Sequence, residues 1–276
     1  MQYLKIKIQA LVDYHELLIA ELNLQGYDSF EEREDGIDAY VVEETYQEQG
    51  LQELSEKYKD LFSFTYTSEK LENKNWNEEW EKNFQPVIIS SRCIVRASFH
   101  QPDKVYDYDI VINPKMSFGT GHHETTSMMI ENQLGIDHRG KKVMDAGSGT
   151  GILAIMAAKL GAADVSAFDV EDWAYQNLKE NISLNGCHNI SAALGDISNV
   201  DLHNEYDIIL ANINKNVLMA EIPVYAKKLS KGGILVLSGF YTGDSADLIE
   251  VAQKSGLVKA SDNEKNRWAS LIFNKK

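Results

Sequence analysis

Val143-Met144-Asp145-Ala146-Gly147-Ser148-Gly149-Thr150-Gly151-Ile152-Leu153 carries an apolar strand into three glycines and out again into a helix-forming run. Glycine lets the backbone turn tightly and lets a ligand approach the main chain. The spacing is G-x-G-x-G, whereas a pyrophosphate is seated by G-x-G-x-x-G. Asp145 points the same way. A carboxylate just before the glycines would be misplaced beside a pyrophosphate, but it can orient the loop or attract an ammonium group. Alone, such a loop is an ordinary βα turn.

Two acidic residues downstream change its weight. The next apolar run, Val165 to Phe168, ends on Asp169, 22 residues after Gly147. A carboxylate at the end of a second strand is where ribose hydroxyls are gripped. Leu194-Gly195-Asp196-Ile197 ends the following strand. There Asp196 is placed to accept an adenine amino group, with Ile197 against the ring. Three elements at successive strand ends favour S-adenosylmethionine (SAM) over a dinucleotide. Upstream, Thr120, Thr125 and Thr126 sit between a glycine turn and a helical stretch from Ser127 to Leu134. Free N–H groups at a helix start suit a methionine carboxylate, and a threonine can equally cap the helix. Asn212 follows the apolar run Ile208 to Ala211, at the strand end where α/β sheets bind ligands. Its carbonyl can accept hydrogen bonds from an amine, or it can form an asparagine turn. Asp172 is expected to cap the following helix, and Glu171 to reach the second ribose hydroxyl. His122-His123-Glu124 lacks the ligand spacing of a metal site, so no metal is expected, and His123 is expected to order its loop.

From about residue 115 helices and strands alternate, which implies a mainly parallel sheet with helices on both faces. The expected strands are 141–145, 163–169, 189–194, 206–212 and 233–238. An antiparallel pair, 256–261 and 267–273, closes the sheet around the polar turn Asp262–Lys265. Residues 87–112 add leading strands. The N-terminal part reads differently. Leu4, Ile6 and Ile8 alternate with lysines as a strand. Asp13 and Glu16 have capping-box spacing before a helix that stops at Gly26. Asp35-Gly36 marks a hairpin, Leu51, Leu54 and Tyr58 a second helix, and Phe62, Phe64 and Tyr66 a last strand. The order β-α-β-β-α-β suits a ferredoxin-like domain over residues 1–67. Trp76, Trp80 and Phe84, spaced by four, predict a linker helix over 68–86. Residues 87–276 form the α/β domain, Rossmann-like with seven strands.

The chain has 276 residues, 43% of them hydrophobic, enough for two domains. Its net charge of −15 repels phosphate backbones, so direct nucleic-acid binding is not expected, and a basic partner would be attracted. Two cysteines, Cys93 and Cys187, fit a reducing compartment. The N-terminus has no signal-peptide apolar region, and no run of about 18 apolar residues exists. The expected location is the cytoplasm.

The glycine loop and its acidic partners resemble class I SAM-dependent methyltransferases. Ser117-Phe118-Gly119-Thr120-Gly121-His122-His123-Glu124-Thr125-Thr126 and Leu210-Ala211-Asn212-Ile213-Asn214, with Trp76, Trp80, Phe84 and Pro86, are similar to the PrmA-type family. The resemblance covers nearly the whole chain, more loosely in the first 70 residues. It implies methylation of amino groups of large-subunit ribosomal protein L11: lysine side chains and the N-terminal amine. It also implies a ferredoxin-like substrate-recognition domain, a linker and a catalytic domain. Carried over by position, Thr126, Gly147, Asp169 and Asn212 contact the cofactor, with Asn212 also acting in transfer. Thr120, Gly149, Gly151, Asp145 and Asp196 complete the expected cofactor set. Ser148 stands where many members have Cys, and Asn214 where an apolar residue is usual. The alternatives are a SAM enzyme acting on RNA or a small molecule, and a non-catalytic SAM-binding scaffold.

Overall fold

The computed structural model describes residues 3–70, 85–113, 115, 118–201, 203 and 205–276. The chain separates into two compact units, Met1–Asn83 and Phe84–Lys276. The expected linker helix over 68–86 lies outside the described residues, apart from its ends. Of these, 68–70 belong to a strand.

The first unit is β1 (Tyr3–Gln9), α1 (His15–Leu24), β2 (Ser29–Arg33), β3 (Gly36–Val42), α2 (Glu48–Tyr58) and β4 (Thr65–Lys70). Its four strands are antiparallel in the order β2-β3-β1-β4. This is the ferredoxin-like arrangement. Period-two alternation in β1 buries Ile6 and Ile8, which meet Leu18, Leu22, Leu51 and Leu54 from the helices. Each such buried side chain contributes about 1.5–3 kcal/mol. Two local expectations are corrected. The Asp13–Glu16 capping box does not form: Val12–Tyr14 make a 3-10 turn, and α1 starts at His15 with no side-chain cap. The hairpin turn is Glu34-Asp35, and Gly36 opens β3. A side chain at Gly36 would put its Cβ 1.9 Å from the Ile8 carbonyl oxygen.

The second unit begins with β5 (Val87–Ile89), β6 (Cys93–Arg96) and β7 (Tyr108–Val111), which form their own three-stranded sheet. After α3 (Glu124–Leu134) comes the βα series. It runs β8 (Lys142–Ala146), α4 (Ile152–Lys159), β9 (Asp164–Asp169), α5 (Asp172–Leu184), β10 (Ile190–Leu194), β11 (Tyr206–Asn212), α6 (Lys215–Lys228) and β12 (Leu229–Tyr241). The unit ends with α7 (Ser245–Lys254), β13 (Leu257–Lys265) and β14 (Trp268–Lys275). The seven strands β8 to β14 lie in the order β10-β9-β8-β11-β12-β14-β13. Only the pairings made by β14 are antiparallel. Both faces are buried, as the near-continuous apolar strands require. Val143, Val165, Ile208, Leu210 and Val236 face one core with α3, α4 and α5. Met144, Phe168, Ile209, Ala211 and Leu237 face the other with α6 and α7. The closing hairpin is longer than expected. The polar run Asp262–Lys265 stays in β13, and the turn is Asn266-Arg267, both at positive φ.

Candidate cofactor and acceptor site

β8, β9, β10 and β11 are parallel, so their C-terminal ends lie along one edge of the sheet, and each delivers a residue there. They surround a cavity of about 320 Å³ lined by Phe118, Gly119, Thr126, Gly147, Ser148, Gly149, Phe168, Asp169, Val170, Trp173, Gly195, Asp196 and Asn212. Ile152 and Leu153 of α4, Ile213, and the α6 side with Asn214, Val217 and Glu221 complete the lining.

The glycines are needed for space as well as torsion. Gly147 holds φ +67°, and an added Cβ would sit 2.3 Å from Ile213 Cγ2. Gly149 holds φ +53°, and its Cβ would sit 2.4 Å from the Phe118 carbonyl oxygen. The segment at Phe118 and Gly119 therefore lies directly on the glycine loop. Thr150 ties the two together. Its N–H donates to the Phe118 carbonyl at 3.0 Å and its hydroxyl to the Gly119 carbonyl.

Asp169 braces the loop from the other side. Its carboxylate accepts the Gly149 N–H at 2.8 Å and the Glu171 N–H at 3.1 Å, and the residue still lines the cavity. Asp196 accepts the Ser198 N–H at 2.7 Å and the Ser198 hydroxyl, which together hold its carboxyl below the usual range. Asn212 donates through Nδ2 to the Thr126 hydroxyl at 3.5 Å, while its Oδ1 is buried without a partner. Buried carbonyl oxygens are normally satisfied, and one left open beside a cavity marks where a donor belongs.

Of the nine expected cofactor residues, Thr126, Gly147, Gly149, Asp169, Asp196 and Asn212 line this cavity. Three do not. Thr120 turns to His122 Nδ1 at 3.1 Å. Gly151 starts α4 at φ +81°, where a Cβ would meet Leu178 at 2.3 Å, so its smallness serves packing. Asp145 is fully buried beneath the loop, where its Oδ2 accepts the Ala154 N–H at 3.0 Å. It orients the first turn of α4 and lies outside the cavity lining. Burial, with a smaller push from the charge of Asp169, raises its carboxyl to about 7.

The neighbouring expectations shift too. α3 begins at Glu124, and its cap is His123, whose side chain accepts the Thr125 N–H. α5 has Glu171 at its cap position and Asp172 inside the first turn, with no side-chain capping bond. The Glu171 side chain is outside the cavity lining, as is Ile197, which packs against the α6 core. His122 and His123 take different partners: His122 contacts Thr120 and the Gln85 carbonyl, His123 contacts Thr125.

Phe118, Trp173, Val217 and Glu221 were not anticipated. Trp173 follows Asp169 within one turn of the next helix, a spacing that could have flagged it. Glu221 lies seven residues after Asn214, two helical turns along the same stripe of α6. That periodicity was visible, but its facing was not.

The residues fit SAM. The glycine cradle leaves room that any Cβ would fill. A carboxylate stands at the end of β9, and an unsatisfied carbonyl stands at the end of β11. Comparison with known proteins agrees. A sequence model of the ribosomal protein L11 methyltransferase family, PrmA, matches residues 8–276. A ribosomal protein L11 methyltransferase of Phocaeicola vulgatus is 44% identical over 250 residues, covering 90% of this chain and 89% of that protein. One from Porphyromonas gingivalis is 43% identical over 261 residues, covering 94% and 90%. The crystal structure of a ribosomal protein L11 methylase from Lactobacillus delbrueckii subsp. bulgaricus superposes with a TM-score of 0.64 at 27% identity. It covers 70% of this chain and 100% of its own.

Proposed function

The chain belongs to the PrmA family of ribosomal protein L11 methyltransferases, SAM-dependent enzymes, and from that membership we propose that it methylates amino groups of ribosomal protein L11. The amines are lysine side chains and the N-terminal amine. The observation that carries this reading is the unpartnered Oδ1 of Asn212, buried at the cavity wall. It is an acceptor held ready for an N–H donor.

SAM, when bound, supplies an electrophilic sulfonium methyl. Asp169 holds the glycine loop through Gly149 and is positioned for ribose hydroxyls, and Asp196 for the adenine amino group. Thr126, wholly buried, orients the Asn212 amide. A lysine amine has an ordinary pKa of about 10.4 and attacks only when neutral. Apolar lining from Phe118, Ile152, Leu153 and Ile213 lowers that pKa by desolvation. Asn212 then aims the nitrogen lone pair, and positioning supplies most of the rate gain. Recognition of the protein acceptor by the first unit, residues 1–67, is part of the proposal, because every cavity residue lies after residue 115. RNA is not part of it, since a net charge of −15 opposes phosphate. No helix among the described residues is long and apolar enough to cross a membrane. A cytoplasmic location is part of the same proposal, since its acceptor is a ribosomal protein.

Incubation with labelled SAM and a mixture of ribosomal proteins and RNA tests the reading. A labelled protein of the size of L11 is expected. Label in RNA, or SAM binding without transfer, would replace it with one of the alternatives.

A further inference from the structure

Asn266 and Arg267 form the turn between β13 and β14, with φ of 51° and 68°. Asparagine tolerates that backbone, and glycine is the usual second residue of such a turn. An arginine there strains the chain. The turn is pinned from outside. Asn266 Nδ2 donates to Glu124 at 2.7 Å, and the Thr242 N–H donates to the Arg267 carbonyl at 2.8 Å. The next residue, Trp268, stacks on Tyr241 at 4.2 Å and meets His123 edge-on at 4.7 Å. His123 in turn meets Phe118 at 5.1 Å, and Phe118 lines the cofactor cavity. Four rings therefore run from the turn to the cavity. At the outer end lies a second cleft, of about 360 Å³, lined by Tyr241, Thr242, Gly243 and Arg267.

The chain has five arginines. Arg33, Arg92, Arg96 and Arg139 each pair with an aspartate. Arg267 is exposed and, among the described residues, pairs with no carboxylate. The carboxylate of Asp244, next to the cleft in sequence, is taken by Lys215 and the Tyr241 N–H. In a chain of net charge −15, a free guanidinium is conspicuous. Strain at a position that over-determines it points to a use.

We propose that Arg267 reads a carboxylate of the protein acceptor, an Asp or Glu side chain flanking the amine that is methylated. The planar guanidinium fork matches a carboxylate in two parallel hydrogen bonds. The row of rings gives the stretch between that carboxylate and the amine an apolar wall. The inference rests on the reading that the acceptor is a protein amine.

The full-length chain and its Arg267→Gly and Arg267→Lys variants are assayed with recombinant ribosomal protein L11 and labelled SAM. Arg267→Gly removes the fork and relieves the backbone. The KM for L11 should rise about two- to fivefold, the range of an exposed ion pair. The kcat and SAM Kd should stay unchanged, while Tm rises. Arg267→Lys should fall between, and about 0.5 M salt should erase the difference from wild type. A raised Tm with an unchanged KM would make Arg267 a surface residue only and overturn the inference. A weakened SAM affinity with unchanged KM would assign the guanidinium to the cofactor and overturn it equally. If Arg267→Gly does not fold, Arg267→Asn, which also tolerates the left-handed region, carries the same readout. Wild-type chain that transfers nothing to L11 overturns the acceptor reading as well. Variants matching an active wild type overturn this inference alone.

Discussion

Asp169 and Asn212 stand at the ends of parallel strands β9 and β11, on either side of β8, yet their surroundings assign them different work. Asp169 accepts two backbone N–H groups and faces the cavity, so Asp169→Ala removes a loop brace together with a ribose contact. SAM affinity should fall by about 1.5–3 kcal/mol in calorimetry, with a lowered melting temperature. Among the described residues the Asn212 side chain makes one weak hydrogen bond, through Nδ2 to Thr126. Asn212→Ala should cut the single-turnover rate by about tenfold or more, while SAM affinity falls less than in Asp169→Ala. A normal rate per folded molecule would return Asn212 to turn chemistry. Asp145 offers a pH test. Its folded pKa, raised to about 7, lies above its unfolded value. The protonated form is the one the fold favours. Its contribution is full at low pH and is lost as pH rises towards and through 7. Asp145→Asn should therefore gain stability relative to wild type as urea titrations move from pH 5 to pH 8. A gap independent of pH would show that Asp145 stays ionised throughout.

At the scale of elements, the strand-turn-helix at β8 and α4 is locally encoded, but its shape depends on what crosses it. Gly149 and Gly186 both hold positive φ, 53° and 62°. A Cβ at Gly186 meets nothing within 4 Å, whereas one at Gly149 meets the Phe118 carbonyl oxygen at 2.4 Å. Gly186→Ala should cost about 1–2 kcal/mol, the strain of the left-handed region alone. Gly149→Ala should cost about 1–3 kcal/mol more, because backbone cannot move aside as a side chain can. Equal losses in denaturant unfolding would mean that the strap at Phe118 is loose. Helix α5 supplies another tie. Asn177, Asn181 and Asn185, spaced by four, pair with the backbone of Val111 and Asn113 at the end of β7. Asn181 also donates to the Thr150 carbonyl. One face of one helix thus joins the leading sheet to the glycine loop. The spacing stood in the sequence, but polar residues on a helix read as solvent-facing until a partner backbone is known.

Across the whole molecule, the division into two units separates chemistry from the rest. All cavity residues lie in the second. A chain beginning at Gln85, which keeps β5 whole, should bind SAM as the full chain does. It should lose about tenfold or more of its transfer to L11. Circular dichroism checks that it folds, and full activity would show that the first unit does not recognise the acceptor. The alternating order of helices and strands was legible because periodicity follows from burial. A strand buried on both faces must be apolar throughout, as in Ile208 to Ala211, and a half-buried one must alternate, as in Tyr3 to Gln9. The strand-end residues Asp169, Asp196 and Asn212 were legible for a related reason, since polar groups that end apolar runs emerge at the sheet edge. Thr120, Gly151 and Asp145 have the same local look and lie outside the cavity. What separates them from Thr126, Gly147 and Asp169 is the direction each side chain or missing side chain faces. That is set by contacts far away in sequence: Leu178 against Gly151, Phe118 on Gly149, Ile213 against Gly147. The left-handed turn at Arg267 was likewise invisible, because β13 extends through its polar run only once β14 pairs with it. Local pattern determined which segments fold and where the chemistry gathers, whereas long-range packing decided which of the gathered residues meet the ligand.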